Sequence, residues 1–221
     1  MSAVLREGLP VLPARMAKRP VDHRGYPVPW FVQWIDGKPD FRVVDGRKFT
    51  VAIRFNACWL CGEPLGRYKT FVIGPMCAIN RVTSEPPCHA DCAEFAALSC
   101  PFLVLPTAKR RETNVPEGVE APAGVHLKRN PGAVCLWTTL TYSVFPVERG
   151  PLIRLGDPIC VEWFAHGRPA MRAEVLASIE SGMPHLYRLA RAQSVESVVA
   201  LECQYAAALP HLPAEALGDL I

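Results

Sequence analysis

The sequence predicts an α+β fold, with short antiparallel strands along most of the chain and two helices near its C-terminus. Hydrophobic residues make up 50% and charged residues 20% of the 221 positions, which is typical of a globular protein with its own apolar core. The 22 prolines are about twice the usual share of roughly 5%, and they favour short elements joined by stiff turns. The clearest helical periodicity lies in the last third of the chain.

In the first half, apolar runs that predict strands are separated by turns. The turn Asp36-Gly37-Lys38-Pro39 separates the runs at residues 30–35 and 41–44, which predicts a hairpin. At residues 49–55 apolar and polar positions alternate and favour a strand, although a helix capped by Asp45 is an equal alternative. The other expected elements here are strands at residues 67–73 and 76–82 and a helix at residues 89–98.

The second half predicts strands followed by two helices. Residues 170–181 have helical composition, and Gly182 with Pro184 is expected to end this helix. A second helical stretch is expected over residues 185–209, with Ser194 restarting it as an N-cap. Its apolar stripe consists of Val198, Leu201, Tyr205 and Ala208. The expected strands are residues 134–144, 152–155 and 159–164.

Composition divides the chain into four parts. The segment at residues 106–130 is rich in Pro, Glu, Lys and Arg, which predicts a linker or long loop. The remaining parts are an N-terminal arm at residues 1–25, a cysteine-containing region at residues 26–105, and a strand-then-helix region at residues 131–221. The two larger regions could pack as one unit.

Four potential metal ligands occur as two close pairs. The first is Cys58-Trp-Leu-Cys61 followed by Gly62, the second is His89-Ala-Asp-Cys92, and 27 residues lie between Cys61 and His89. A Cys-x-x-Cys turn directs two thiolates at one point, and residues three apart in a first helical turn face the same way. The helix N-terminus also favours a nearby thiolate. The spacing therefore predicts a zinc site of Cys58, Cys61, His89 and Cys92 that staples residues 26–105.

The other cysteines leave alternatives open. Cys88 is the main alternative ligand, because it lies four positions before Cys92, although the spacing from His89 to Cys92 fits known zinc fingers better. Cys77 and Cys100 are near enough in sequence to substitute. Free cysteine is often buried as a small hydrophobe. The core is therefore the expected location of Cys135, Cys160 and Cys203.

The predicted zinc is structural. A catalytic zinc usually has three protein ligands and a water molecule, whereas four ligands are available here and three of them are thiolates. A cytidine deaminase needs His-x-Glu before a later Cys-x-x-Cys pair, which is the reverse of the order found. A His-Me nuclease would need a histidine between the ligand pairs, and none occurs between Gly62 and Cys88.

The ligand order resembles that of treble-clef zinc fingers over about residues 55–100. In LIM-type and related fingers, a Cys-x-x-Cys knuckle and the start of a helix supply three cysteines and one histidine. The resemblance implies a knuckle, a hairpin and a ligand-bearing helix in this order, and it implies zinc binding without implying an activity.

Longer blocks are similar to a group of uncharacterised bacterial and prophage-encoded proteins. The blocks are Cys58-Trp-Leu-Cys-Gly-Glu-Pro-Leu-Gly66, Phe71-Val-Ile-Gly-Pro-Met-Cys77, Glu85-Pro-Pro-Cys-His89 and Arg168-Pro-Ala-Met-Arg-Ala-Glu-Val175. The resemblance implies a bacterial or phage setting and a small accessory protein that binds host or phage machinery.

A non-enzymatic binding protein is the function that these patterns favour, with a protein or a nucleic acid as partner. The net charge of +3 is too small to indicate nucleic acid by itself. Phosphate contacts are expected, if at all, at Lys109, Arg110 and Arg111 or at the looser set Arg15, Lys18, Arg19 and Arg24, although charged loops are usually just solvated. The five tryptophans, at positions 30, 34, 59, 137 and 163, are more typical of a core than of a base-stacking surface.

The alternative function is a nuclease or another hydrolase that acts on nucleic acid. Its candidate groups are scattered along the chain: Asp91, His126, Asp157 and His166. Localisation is expected to be cytoplasmic, because no apolar run reaches the ~18 to 20 residues of a membrane span and Arg6 and Glu7 interrupt any signal-peptide core. The nine cysteines, an odd number, are then expected as thiols or metal ligands.

Overall fold

The computed structural model describes residues 4–109, 129–148 and 150–215, so most of the predicted linker at 106–130 lies outside the described residues. The strands are β1 (Val32–Ile35), β2 (Lys38–Val44), β3 (Lys69–Ile73), β4 (Val82–Thr83), β5 (Val134–Thr139), β6 (Tyr142–Val147), β7 (Gly150–Leu155), β8 (Pro158–Ala165) and β9 (Arg168–Pro169). The α-helices are α1 (Gly46–Arg54), α2 (Pro75–Asn80), α3 (Ala90–Ser99), α4 (Pro101–Val104), α5 (Arg172–Gln193) and α6 (Val195–Ala208). This mixture of helices and antiparallel sheets confirms the predicted α+β class.

The central sheet combines strands from both halves of the chain. Its order is β3-β5-β8-β9, and every neighbouring pair is antiparallel. β5 is buried along its whole length between β3 and β8, with Trp137 opposite Phe71 and Val161. A three-stranded sheet of order β4-β7-β6 and the hairpin β1-β2 complete the strands. Since β3 precedes residues 106–130 and β5 follows them, one sheet joins both regions.

The two faces of β5 belong to different cores. Cys135 and Trp137 lie in an apolar cluster with residues of α2, α5 and α6. Val134 and Leu136 lie in a second cluster together with Cys58, Cys61, Cys88 and Cys92. Successive side chains of a strand point to opposite faces of the sheet, so the helices cover one face and the cysteine-containing region covers the other.

The segment at residues 49–55 is helical, so the favoured strand prediction is wrong and the capped-helix alternative is right. Asp45 is the N-cap of α1, and its side chain accepts a hydrogen bond from the backbone N–H of Arg47. Ala52 is fully buried, and Phe49 and Ile53 pack against the core clusters. The alternating pattern wrongly predicted a strand, because two of its apolar residues, Val51 and Phe55, face solvent and not a core.

The strand expected at residues 76–82 is mostly helix α2. Pro75 is its first residue, where a fixed φ and a missing N–H suit a helix start. Only Val82 and Thr83 form a strand, β4, which pairs with β7, whereas β3 pairs with β5. The hairpin that the treble-clef resemblance implied between the two ligand pairs is therefore not formed. The segment before α3 instead reaches β3 through a two-way backbone bridge between Thr70 and Cys88.

Helix α5 continues through the residues expected to end it. Pro184 lies inside the helix on its exposed side, where the carbonyl group that loses its partner can be hydrated. Gly182 is buried, and a Cβ atom there would lie 2.6 Å from Met76 Sδ, so the glycine permits close packing of α5 on α2. Burial of Met183 and Leu186 in the core keeps this part of the helix in place.

The single strand expected at residues 134–144 is wrong, because β5 and β6 are separate strands in different sheets. The chain bends at Leu140, where Thr139 Oγ1 accepts a hydrogen bond from the Thr141 N–H.

The remaining predicted elements lie close to their expected positions. The hairpin forms as β1-β2, α3 lies at the expected position, and Ser194 caps α6 by accepting a hydrogen bond from the Ser197 N–H. Trp59, Trp137 and Trp163 are buried, whereas Trp34 is 42% exposed. Within the described ranges no helix is both long enough and apolar enough to cross a bilayer.

Candidate metal centre

The predicted ligands form one compact cluster. One Sγ or ring nitrogen atom from each of Cys58, Cys61, His89 and Cys92 lies within 4.8 Å of all the others. The three cysteines are buried and His89 is partly exposed. The four side chains are therefore placed to hold a single metal ion.

A tight knuckle positions the first two ligands. The N–H of Cys58 donates to the Glu63 carbonyl at 2.8 Å, and the N–H of Gly62 donates to the Cys58 carbonyl at 2.9 Å. The N–H of Cys61 points at Cys58 Sγ, and that of Glu63 points at Cys61 Sγ. Gly62 has φ +85°, and a Cβ atom there would lie 2.7 Å from the Trp30 ring, so this position requires glycine.

The start of α3 supplies the other two ligands. His89 is the N-cap residue and Cys92 lies in the first turn. The Nε2 atom of His89 lies 3.1 Å from the Pro64 carbonyl oxygen, which can only accept, so Nε2 carries the proton. The Nδ1 atom, 3.4 Å from Cys61 Sγ, is then free to bind a metal, and the hydrogen bond from Nε2 fixes the ring orientation.

Each thiol in the cluster affects the ionisation of the others. Hydrogen bonds from the thiols of Cys61, Cys88 and Cys92 lower the pKa of Cys58 far below its usual range. The hydrogen bond with Cys58 raises the pKa of Cys61 to about 11, and the hydrogen bonds with Cys58 and Cys61 raise the pKa of Cys92 well above its usual range. One thiolate thus suppresses the ionisation of its neighbours. A divalent cation bound among them would remove this repulsion and allow all three to ionise.

The remaining cysteines lie outside this group of four. Cys88 is buried beside Cys58, and burial raises its pKa well above the usual value, so it remains a neutral thiol that donates to Cys58. Cys135 is buried as expected. Cys160 and Cys203 are exposed, which makes their predicted core location wrong, because they lie on the outward faces of β8 and α6.

The N-terminal arm covers the candidate metal centre. Met16 is only 2% exposed and belongs to the same apolar cluster as the ligand cysteines. Arg15 Nε donates to the Asp91 carboxylate at 3.1 Å, between the ligands His89 and Cys92 in sequence. Arg15 interacts electrostatically with Cys61 and Cys92, and Arg19 interacts with Cys61. From the sequence, Arg15 and Arg19 were interpreted only as charges in an N-terminal arm. The apolar Met16 between them was the one signal that this arm packs against the rest of the protein.

The candidate hydrolytic groups do not converge. Asp91 pairs with Arg15, Asp157 pairs with Arg81 at 2.6 Å, and His166 Nε2 lies 3.6 Å from Glu174. In the part of the chain that the structure describes, the Cys58 cluster is the only group of three or more His, Cys, Asp or Glu side chains placed to hold a metal. His126 lies outside the described residues.

The predicted basic segment is described only at its first residue. Lys109 is exposed and forms an isolated backbone bridge with Arg129, while Arg110 and Arg111 lie outside the described residues. Asn130, the residue after Arg129, is 3% exposed and its side-chain amide donates to the carbonyl groups of Phe102, Leu103 and Leu105. The Asn130 side chain therefore holds residues 129–130 against residues 102–105.

Comparisons of the chain with protein-family models, with curated protein sequences and with solved structures find no significant match.

Proposed function

We propose that Cys58, Cys61, His89 and Cys92 bind one structural zinc ion and that the protein is a zinc-stabilised binding protein without catalytic activity of its own. The observation that carries this proposal is the convergence of three thiols and one imidazole within 4.8 Å. Three sulfur donors and one nitrogen donor suit zinc in a tetrahedral site. Four protein ligands leave no position for a reactive water molecule, which supports a structural role over a catalytic one.

The binding role is proposed for a protein or nucleic-acid partner in a bacterial or phage setting. The treble-clef-like order of ligands supports it, since such zinc regions commonly present a contact surface without a catalytic group. The separate ion pairs of Asp91, Asp157 and His166 give no support to a hydrolytic centre.

Metal analysis of the purified chain and of ligand variants tests the zinc proposal. We expect about one zinc per chain, and we expect Cys61→Ser and Cys92→Ser to lose metal and to unfold the cysteine-containing region, because structural zinc contributes on the order of 10 kcal/mol. Cys203→Ser is the matched control, since Cys203 is exposed on α6, and it should retain full zinc. Full occupancy in Cys61→Ser would show that the ligand set is wrong.

The non-enzymatic part of the proposal has its own test. DNA and RNA are incubated with the zinc-loaded protein in the presence of Mg²⁺ or Mn²⁺. The proposal expects no cleavage above that of a blank preparation. Robust cleavage would contradict the non-enzymatic proposal if a substitution outside the four ligands abolished it. That result would support the nuclease alternative.

A further inference from the structure

Two large aromatic side chains next to the zinc knuckle face solvent. Phe55, directly after α1, is 64% exposed, and Tyr68, directly before β3, is 56% exposed. Their two segments are held side by side by Asn56 and Leu65: the Leu65 N–H donates to the Asn56 carbonyl at 2.7 Å, and Asn56 Nδ2 donates to the Leu65 carbonyl at 3.0 Å. Two neighbouring segments thus each present an aromatic ring to solvent, where its face is available for stacking.

An arginine precedes each of these rings. Arg54 and Arg67 are both exposed, and the Arg54 guanidinium lies 5.5 Å from the centre of the Phe55 ring. Among the described residues neither arginine forms a salt bridge, unlike Arg15, Arg81 and Arg168. Their charge is therefore available to an anionic ligand. We call Arg54, Phe55, Arg67 and Tyr68 the knuckle patch.

The backbone that carries the knuckle patch is held in place. The side chain of Lys69 is buried and its Nζ donates to the Gly66 and Arg67 carbonyl groups, which fixes the turn before Tyr68. On the other side, a backbone bridge between Ala57 and Pro64 closes the base of the knuckle. A ligand would thus meet a pre-organised backbone and would order only exposed side chains, which reduces the entropy cost of binding.

We infer that the knuckle patch binds single-stranded nucleic acid, with bases stacked on Phe55 and Tyr68 and phosphates paired with Arg54 and Arg67. Alternating rings and arginines are the chemistry that single strands need, because each nucleotide offers a flat base and a negative charge. Base pairs in a duplex would hide the faces that the rings contact. This inference rests on the proposed binding function and names its partner.

Binding of labelled oligo-dT and oligo-U to the zinc-loaded full chain across a salt series tests this inference. We expect Phe55→Ala and Tyr68→Ala each to weaken binding by about tenfold. Arg54→Gln and Arg67→Gln should weaken it and should each reduce the salt slope by about 0.7. The matched control is the exposed Arg154, whose guanidinium lies 5.2 Å from the Phe145 ring on β6; Phe145→Ala and Arg154→Gln should bind as the unchanged chain does.

Zinc content and circular dichroism of the same preparations separate this inference from the proposed function. If the zinc-loaded chain binds neither oligonucleotide at low salt, nucleic-acid binding by the knuckle patch is contradicted. The proposal of a structural zinc site would be unaffected. Equal affinity for duplex and single strand, or equal losses in the Phe145 control, would also contradict the inference. Displacement of the oligonucleotide by polyglutamate as readily as by unlabelled oligo-dT would show contact with acidic protein instead.

Discussion

Arg15 lies where the charge of the candidate metal centre has to be balanced. Three thiolates around a divalent ion leave one negative charge in excess, and Arg15 reaches Asp91, Cys61 and Cys92 from the arm. A guanidinium near thiolates favours their ionised form. We therefore regard Arg15 as a residue that stabilises the metal-bound state without binding the ion.

Replacing Arg15 with Gln should speed zinc release to a chelator several-fold, because loss of the guanidinium favours protonation of the thiolates. Unfolding free energy should fall by less than about 1 kcal/mol, since the ion pair with Asp91 is partly exposed. Stopped-flow release into a chromogenic chelator measures the rate. Arg47→Gln is the control, because Arg47 is 92% exposed and pairs with Asp45 away from the ligands. Equal release rates in the two variants would contradict a role for Arg15 in stabilising the metal-bound state.

At the scale of elements, patterns with a local cause were predictable. Asp36-Gly37 forms the hairpin turn with both residues at positive φ, and Ser194 caps α6 through its own hydroxyl group. The knuckle spacing of Cys58 and Cys61 likewise depends on a few neighbouring residues. Each of these signals is complete within a short stretch of sequence.

Elements that depend on distant packing were predicted less well. The alternating pattern at residues 49–55 favoured a strand, because the sequence could not show that Val51 and Phe55 are exposed. α5 passes through Gly182 and Pro184 because the glycine lies against Met76, more than a hundred positions earlier. The knuckle patch was missed for the same reason, since Phe55 would have belonged to the inward face of a strand.

The knuckle should tolerate no side chain at Gly62. Gly62→Ala should lower the unfolding free energy by about 2 to 4 kcal/mol, because a positive φ disfavours alanine and its Cβ atom would clash with the Trp30 ring. Urea unfolding of the zinc-loaded protein measures the change. Gly46→Ala, where a Cβ atom meets open space at the start of α1, should stay within about 1 kcal/mol of the unchanged chain. Similar stabilities for the two variants would contradict the described knuckle.

In the whole molecule, the candidate metal centre is part of the core of the central sheet. Phe164 of β8 and Leu136 of β5 share an apolar cluster with three of the ligands, Cys58, Cys61 and Cys92. The sequence predicted the four residues of the cluster, but not that β3 and β5 would be neighbours, because strand pairing across 60 intervening positions leaves no local signal. Removal of the metal should therefore destabilise parts of the fold beyond the knuckle, including the central sheet.

The most direct test of the proposed structural zinc is hydrogen exchange of the full chain as purified and after treatment with a zinc chelator. We predict loss of protection in the knuckle, in α3 and in the arm around Met16, together with faster exchange in β5, because these parts share one core. Helix α6 packs on the opposite face and serves as the internal reference. A chain that contains no zinc as purified, or one whose exchange is unchanged after zinc removal, would contradict a structural metal at Cys58, Cys61, His89 and Cys92.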